Sequence, residues 1–213
     1  MNADPEEPVL QVKGLQFAWG DRVLFNGLSF DLPPGVSLVR GGDGTGKSTL
    51  LSLLAGAQTP GAGTFAIHGI RLDQQHDAYR HQVFWIDPQT EAHDALAAGG
   101  YLDSLSRHYP RFSADTMAEL VDGFALGPHL AKPMYMLSTG SRRKVWLTAA
   151  FAAGTPLTLI DQPFAALDMS SIRFLHLLLE EASQRTDRAW LLADHVPPEG
   201  LALKTRLELG VRN

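Results

Sequence analysis

The sequence predicts an α/β protein with a mixed, mostly parallel sheet, an antiparallel β part at its N-terminus and a helical insertion in its middle. Three observations carry this. A glycine-rich turn, GGDGTGKS at Gly41–Ser48, separates the short apolar run VSLVR from the helically spaced LLSLLAG. Two later apolar runs, LTLID and RAWLLAD, alternate with helical segments, the pattern of a parallel sheet covered on both faces. Residues Val9 to Leu32 alternate around a Gly-Asp turn, as paired strands do.

The elements follow in order. VLQVKGLQFAW and VLFNGLSFDL read as a hairpin, and Pro33-Pro34-Gly35 breaks the chain before the strand VSLVR. LLSLLAG is a helix with Gly56 at its C-terminal end. QTPGAGTFAIHGI is a turn followed by a strand. Between residues 91 and 136, Ala, Leu and charged residues at helical spacing replace β-branched runs, with breaks near Pro110, Gly127-Pro128 and Pro133. LSTGSRRKVWLTAAFAAG reads as a helix opened by a Ser/Thr/Gly cluster. Strand LTLID, helix SSIRFLHLLLEEASQ, strand RAWLLAD and a last strand near TRLEL complete the chain. The expected organisation is a loose leader, 1–8, and one domain, 9–213, in which 9–90 and 137–213 form the core and 91–136 a helical subdomain.

Composition excludes several classes. The 213 residues include no cysteine, which removes disulfides, thiol catalysis and Cys-ligated zinc. A net charge of −5 gives no support to general nucleic-acid binding. No apolar run reaches the roughly 18–20 residues that span a bilayer, so direct membrane insertion is not expected. The acidic, Pro-containing N-terminus lacks a signal pattern.

Gly41–Ser48 fits G-x-x-x-x-G-K-[ST] between a strand and a helix, the phosphate loop of P-loop NTPases. Glycines let backbone N–H groups turn inward onto phosphate oxygens, and the following helix aims its positive end at them. Gly41, Gly42, Asp43, Gly44, Thr45, Gly46, Lys47, Ser48 and Thr49 are therefore the candidate nucleotide-phosphate cradle, of an NTPase or a kinase-like protein, and the family resemblance given below makes the nucleotide ATP. Lys47 is expected to bridge the β- and γ-phosphates and Ser48 to ligate Mg2+. Asp43 should turn outward, because a carboxylate repels phosphate oxygens.

LSTGSRRKV, together with this loop, resembles the LSGGQ signature of ATP-binding-cassette (ABC) ATPases, and other elements of that family stand in the expected order. The resemblance implies a role for each. Gln89, in FWIDPQ, is the metal-touching glutamine that relays to a transmembrane partner. Asp161, at the end of LTLID, is the metal-side acid. Ala166-Leu167-Asp168 is the loop that crosses to a second subunit, and His195 senses the γ-phosphate. Trp19 takes the place of the adenine-stacking aromatic, with Phe17 as its competitor two residues away. Ser138 and the backbone at Gly140 serve the nucleotide of the opposite subunit. Mg2+ would then sit among Ser48, Gln89 and Asp161, and two chains would sandwich two ATPs head to tail.

Three positions depart from the pattern. Gln162 stands where the family usually has Glu. Its neutral amide orients a water but is a poor base, and no other acid is expected beside it. With Lys47 and His195 it makes a catalytic set expected to bind ATP and hydrolyse it slowly. Three origins are open: a degenerate site paired with a competent chain, a slow self-paired ATPase, or an introduced Glu→Gln exchange that traps ATP. Thr139 and Ser141 replace the signature's Gly and Gln, and Thr139 would be strained at φ > 0. Asp43 places an acid inside the loop.

The resemblance implies the ATP-binding subunit of an ABC transporter of compact, bacterial, exporter-like type. Its partners would be a transmembrane permease and a second ATP-binding subunit, identical or not, and its location cytoplasmic, peripheral on the inner face of the cell membrane. The alternative is an ATP-gated regulatory or binding module with no transport role. A small-molecule kinase on the same loop would leave LSTGS and His195 unused.

Overall fold

The computed structural model describes residues 7–210, so residues 1–6 of the expected leader lie outside the described residues. The N-terminal half supplies an antiparallel sheet in the order β2-β1-β4-β5: β1 (Leu10–Trp19), β2 (Arg22–Leu32), β4 (Ala62–Ile67) and β5 (Ile70–Arg71). The Gly20-Asp21 turn joins β1 to β2, which pair from Trp19↔Arg22 to Leu10↔Leu32. β1 slips register between Phe17 and Ala18, and such bulges re-aim the side chains beyond them.

The second sheet is wholly parallel, in the order β6-β7-β8-β3-β9. Its strands are β3 (Gly35–Arg40), β6 (Val83–Phe84), β7 (Leu157–Asp161), β8 (Ala189–Asp194) and β9 (Arg206–Glu208). The mixed sheet of the sequence thus resolves into two sheets of opposite character. The parallel strands are apolar almost throughout because both faces are covered. Val36, Leu38, Ile160, Trp190 and Leu192 face one core, while Val39, Leu157, Leu159, Leu191 and Ala193 face the other. The period of two sorts each strand between the cores.

Helix α1 (Lys47–Leu54) packs Leu50, Leu51, Leu53 and Leu54 into the core shared with the antiparallel sheet. It ends in a Schellman motif: Gly56, at φ 67, donates to Leu53 O (3.0 Å), and Ala57 donates to Ser52 O (2.9 Å). The short α2 (His76–Arg80) seats the fully buried Tyr79, whose hydroxyl donates to Leu54 O at 2.8 Å.

Residues 91–136 hold α3 (Ala98–Ser104), α4 (Ala114–Gly123) and three single 3-10 turns. Helical spacing there yields short helices rather than long ones. The stretch before α3 is instead tied by an isolated bridge, Ala97↔Pro133. Ser113 caps α4 by accepting from Thr116 N–H, as its position before an apolar-periodic run requires. α5 (Thr139–Ala152) and α6 (Met169–Ser183) cover the other face of the parallel sheet through Val145, Ala149, Leu175 and Leu179.

Candidate functional site

Parallel pairing brings the C-terminal ends of β3, β7 and β8 level, with Arg40 opposite Asp194 and Asp161 opposite Ala193. Ligands of open α/β sheets collect at this edge, outside the strands' carboxyl ends. The chain leaves β3 into the glycine loop, leaves β7 into Gln162 and leaves β8 into His195.

The loop folds as its glycines demand. Gly44 and Gly46 have φ of 67 and 98, and Gly46 is the N-cap of α1. A Cβ on Gly41 would collide with the Thr45 hydroxyl, which donates to Gly42 O at 2.9 Å. Lys47 is 7% exposed and donates to Gly41 O (2.8 Å) and Gly42 O (3.0 Å), so its ammonium is held at the centre of the cradle. Arg22, from β2, braces the loop from outside by donating to Gly44 O at 2.7 Å.

Gln162 has φ 46, in the left-handed region that a side chain disfavours. Its N–H donates to Ala193 O at 2.8 Å, and its carbonyl accepts from Arg143 Nη1 at 2.9 Å. Beside it, Asp161 Oδ1 is buried with no hydrogen-bond partner. Ser48, Gln89, Arg143, Asp161 and Gln162 line one cavity of about 610 Å³. The orphaned acid oxygen of Asp161, with the Ser48 hydroxyl and the Gln89 amide on the wall of the same cavity, suits Mg2+, which takes few protein ligands and fills its shell with phosphate and water. An adjoining cavity of about 400 Å³ is lined by Trp19, Asp43, Lys47, Ser48, Thr49 and Gln162 among others.

Helix α5 opens with Ser138 as its N-cap, the hydroxyl accepting from Ser141 N–H at 3.1 Å and donating to Ser141 Oγ at 3.0 Å. A Cβ at Gly140 would stand 2.5 Å from Ala166 O, so this position tolerates no side chain. Three successive cations on α5 then take three different anchors. Arg142 meets Asp94 at 3.1 Å, Arg143 reaches the carbonyls of Asp161 and Gln162, and Lys144 meets Asp168 at 2.6 Å. Burial pulls the Arg143 guanidinium below its usual range and the Asp161 and Asp194 carboxylates push it back; an arginine remains charged. The Asp168 carboxyl is held well below the usual carboxylate range, first by Lys144, then by the Ser170 hydroxyl and Ser171.

A family model described as "ABC transporter" matches residues 25–165, most of the chain. The chain belongs to the ABC transporter ATP-binding family. It is similar to the cytochrome c biogenesis ATP-binding export protein CcmA of Pseudomonas syringae pv. syringae, 35% identical over 83% of this chain and 84% of that protein. It is also similar to the nickel import ATP-binding protein NikO of Rhodobacter capsulatus, 32% identical over 81% and 73%. Among solved structures, an ATP-binding subunit of an ABC transporter superposes with TM-score 0.79 and 26% identity, covering 88% of this chain and 80% of that one. The cbiO1 structure from Clostridium perfringens, titled as part of the ABC transporter complex cbiONQ, has the same fold at TM-score 0.67 and 20% identity, covering 90% and 80%. The P-loop NTPase fold read from the sequence is thereby shown.

Of the expected residues, Trp19, Asp43, Gly44, Gly46, Lys47, Ser48, Thr49, Gln89, Asp161 and Gln162 line the two adjoining cavities, whereas Gly41, Gly42, Thr45, Ser138, Gly140 and His195 line neither. Trp19 lies at the mouth of the smaller cavity, 54% exposed, its Nε1 3.5 Å from Thr49 Oγ1. Phe17 instead packs on the core and meets the Trp19 ring edge-on at 5.4 Å. The structure bears on three of the expectations. Thr139 has no positive φ; it is the exposed first residue of α5, and the steric demand falls on Gly140. Asp43 does face solvent, yet its carboxylate lies 3.2 Å from His195 Nε2. Asp87 lines the larger cavity together with Gln162, its Oδ1 accepting from Gln89 N–H at 2.9 Å.

Sequence reasoning missed Arg22, Arg40 and Arg143. Arg40 Nε donates to His195 O at 2.9 Å and so fixes the loop after β8. The run Arg142-Arg143-Lys144 is a visible signal, but nothing in its spacing reveals three separate anchors.

Proposed function

We propose that this chain binds Mg-ATP at a head-to-tail dimer interface, drives a membrane permease, and hydrolyses ATP slowly because Gln162 replaces a glutamate. The observation that carries the reading is the convergence of Lys47, Ser48, Gln89, Asp161 and Gln162 on adjoining cavities at the strand ends. There, Lys47 leaves the loop carbonyls for the β- and γ-phosphates, the loop N–H groups hold the phosphate oxygens, and Trp19 stacks on the adenine. Mg2+, held by Ser48, Asp161 and Gln89, would neutralise charge developing on the phosphates. Gln162 orients the attacking water without accepting its proton, and His195 leaves Asp43 for the γ-phosphate. Ser138 and Gly140 meet the nucleotide of the opposite subunit. Residues 91–136 serve as the helical subdomain within a domain spanning 9–213. No helix of the described residues is long and apolar enough to cross a membrane, which is compatible with peripheral attachment at the cytoplasmic face through the permease. Likeness to CcmA supports an export complex.

Light scattering after size exclusion tests this. With Mg-ATP the protein should become a dimer and revert without nucleotide; Lys47→Ala should stay monomeric. ATP-driven dimerisation with no membrane protein co-purifying from native membranes would favour the regulatory module. No response to ATP would refute both.

A further inference from the structure

We propose that Arg143 is a positioning residue for the ATPase site, the clamp that holds the Asp161–Gln162 backbone in the left-handed turn from which residue 162 addresses the attacking water. This deepens, and rests on, the ATPase reading above. The geometry is specific. One nitrogen, Nη1, donates to both Asp161 O (2.6 Å) and Gln162 O (2.9 Å). Gln162 N–H is held on the other side by Ala193 O at 2.8 Å. The peptide after Asp161 is thus pinned between β8 and α5 while its φ of 46 lies where a side chain is disfavoured. Without the guanidinium, two carbonyls would face the cavity without that donor, and the turn could relax toward ordinary φ, carrying the residue 162 side chain away.

A solvated helical face alone would not require this residue. Its neighbours, Arg142 and Lys144, are anchored to Asp94 and Asp168 instead, and only Arg143 of the three reaches the end of β7. It also lines the cavity shared by Ser48, Asp161 and Gln162, so a charged donor sits at the wall of the site rather than behind it. A guanidinium fits this role because it is planar, permanently charged and holds its donors in a rigid fork, which a lysine on a flexible stem reproduces poorly.

The test has two arms. In nucleotide-free protein, hydrogen exchange is followed for the peptide spanning residues 157–168 in the parent, Arg143→Ala, Arg143→Lys and Arg142→Ala. Arg143→Ala should exchange about tenfold faster there, and Arg142→Ala should match the parent in that peptide. In the Gln162→Glu background, Arg143→Ala should lower kcat at least tenfold, as a misplaced reacting group does, with the KM for ATP nearly unchanged, and millimolar guanidinium should restore part of it. Parent-like exchange in Arg143→Ala overturns the clamp. So does a loss of both ATP affinity and kcat that guanidinium fails to rescue, which marks a general folding role. If Gln162→Glu has no turnover, the ATPase reading fails while the exchange arm still decides the clamp; if Arg143→Ala does not fold, Arg143→Lys carries both arms.

Discussion

On the proposed reading of Gln162, introducing a carboxylate at residue 162 should turn a slow ATP-holding site into a faster ATPase. Gln162→Glu changes one amide to one carboxylate with the same shape, and both residues bear the same left-handed penalty at φ 46. The backbone is already pinned by Ala193 O and Arg143, so the new side chain inherits the position of the old one. It adds negative charge next to Asp161, offset by Arg143 on the same wall and by the magnesium that accompanies ATP. General-base help is worth about 10²–10⁴ in rate, which corresponds to roughly 2.7–5.4 kcal/mol of barrier at about 1.36 kcal/mol per tenfold. Phosphate release would be measured for the parent, Gln162→Glu and, as blank, Lys47→Ala, with ATP affinity followed separately by calorimetry. The expected result is a rise of about 10² or more in kcat at nearly constant affinity. A Gln162→Glu protein that binds ATP normally and turns over no faster than the parent refutes the assignment, and Asp87, the other carboxylate on the cavity wall, becomes the residue to substitute next.

Other outcomes follow from the same geometry. Trp19→Ala should weaken ATP binding by about 5- to 150-fold, since stacking on an aromatic is worth about 1–3 kcal/mol; calorimetry checks it, and Phe17→Ala should instead lower the melting temperature through lost core packing. Gly140→Ala pushes a methyl against Ala166 O and should cost about 1–3 kcal/mol by overpacking, with ATP-driven dimerisation lost, as denaturant titration and light scattering would show. Asp168→Asn should destabilise the protein at neutral pH. Because the folded-state pKa of Asp168 is depressed, its contribution is present above the unfolded value near 4 and is lost as pH falls through the folded value. The melting temperatures of parent and variant should therefore converge in acid.

Much of the site was legible because its chemistry is local. Gly41–Ser48 must be glycine-rich, must follow a strand and must open a helix, and all three requirements lie within about a dozen neighbouring residues. Gly56 likewise announces the end of α1 because a left-handed residue is needed there. Asp161 could be placed at a strand end because the apolar run LTLID stops at it.

What depends on through-space neighbours was decided by the tertiary structure. Phe17 and Trp19 share a spacing of two, and the bulge after Phe17 separated them, sending one ring to the core and the other to the cavity mouth. Asp43 and His195 lie on different strand–loop connections, and the register of β3 against β8 brought them together. The anchors of Arg142, Arg143 and Lys144 follow from where α5 crosses the ends of the parallel strands, a relation no local spacing encodes. The sequence by itself named the candidate ATP-holding groups, since backbone conformation and residue chemistry are written locally. Only packing decided which groups hold those groups in place, because a long side chain chooses its partner from whatever the fold puts within its reach.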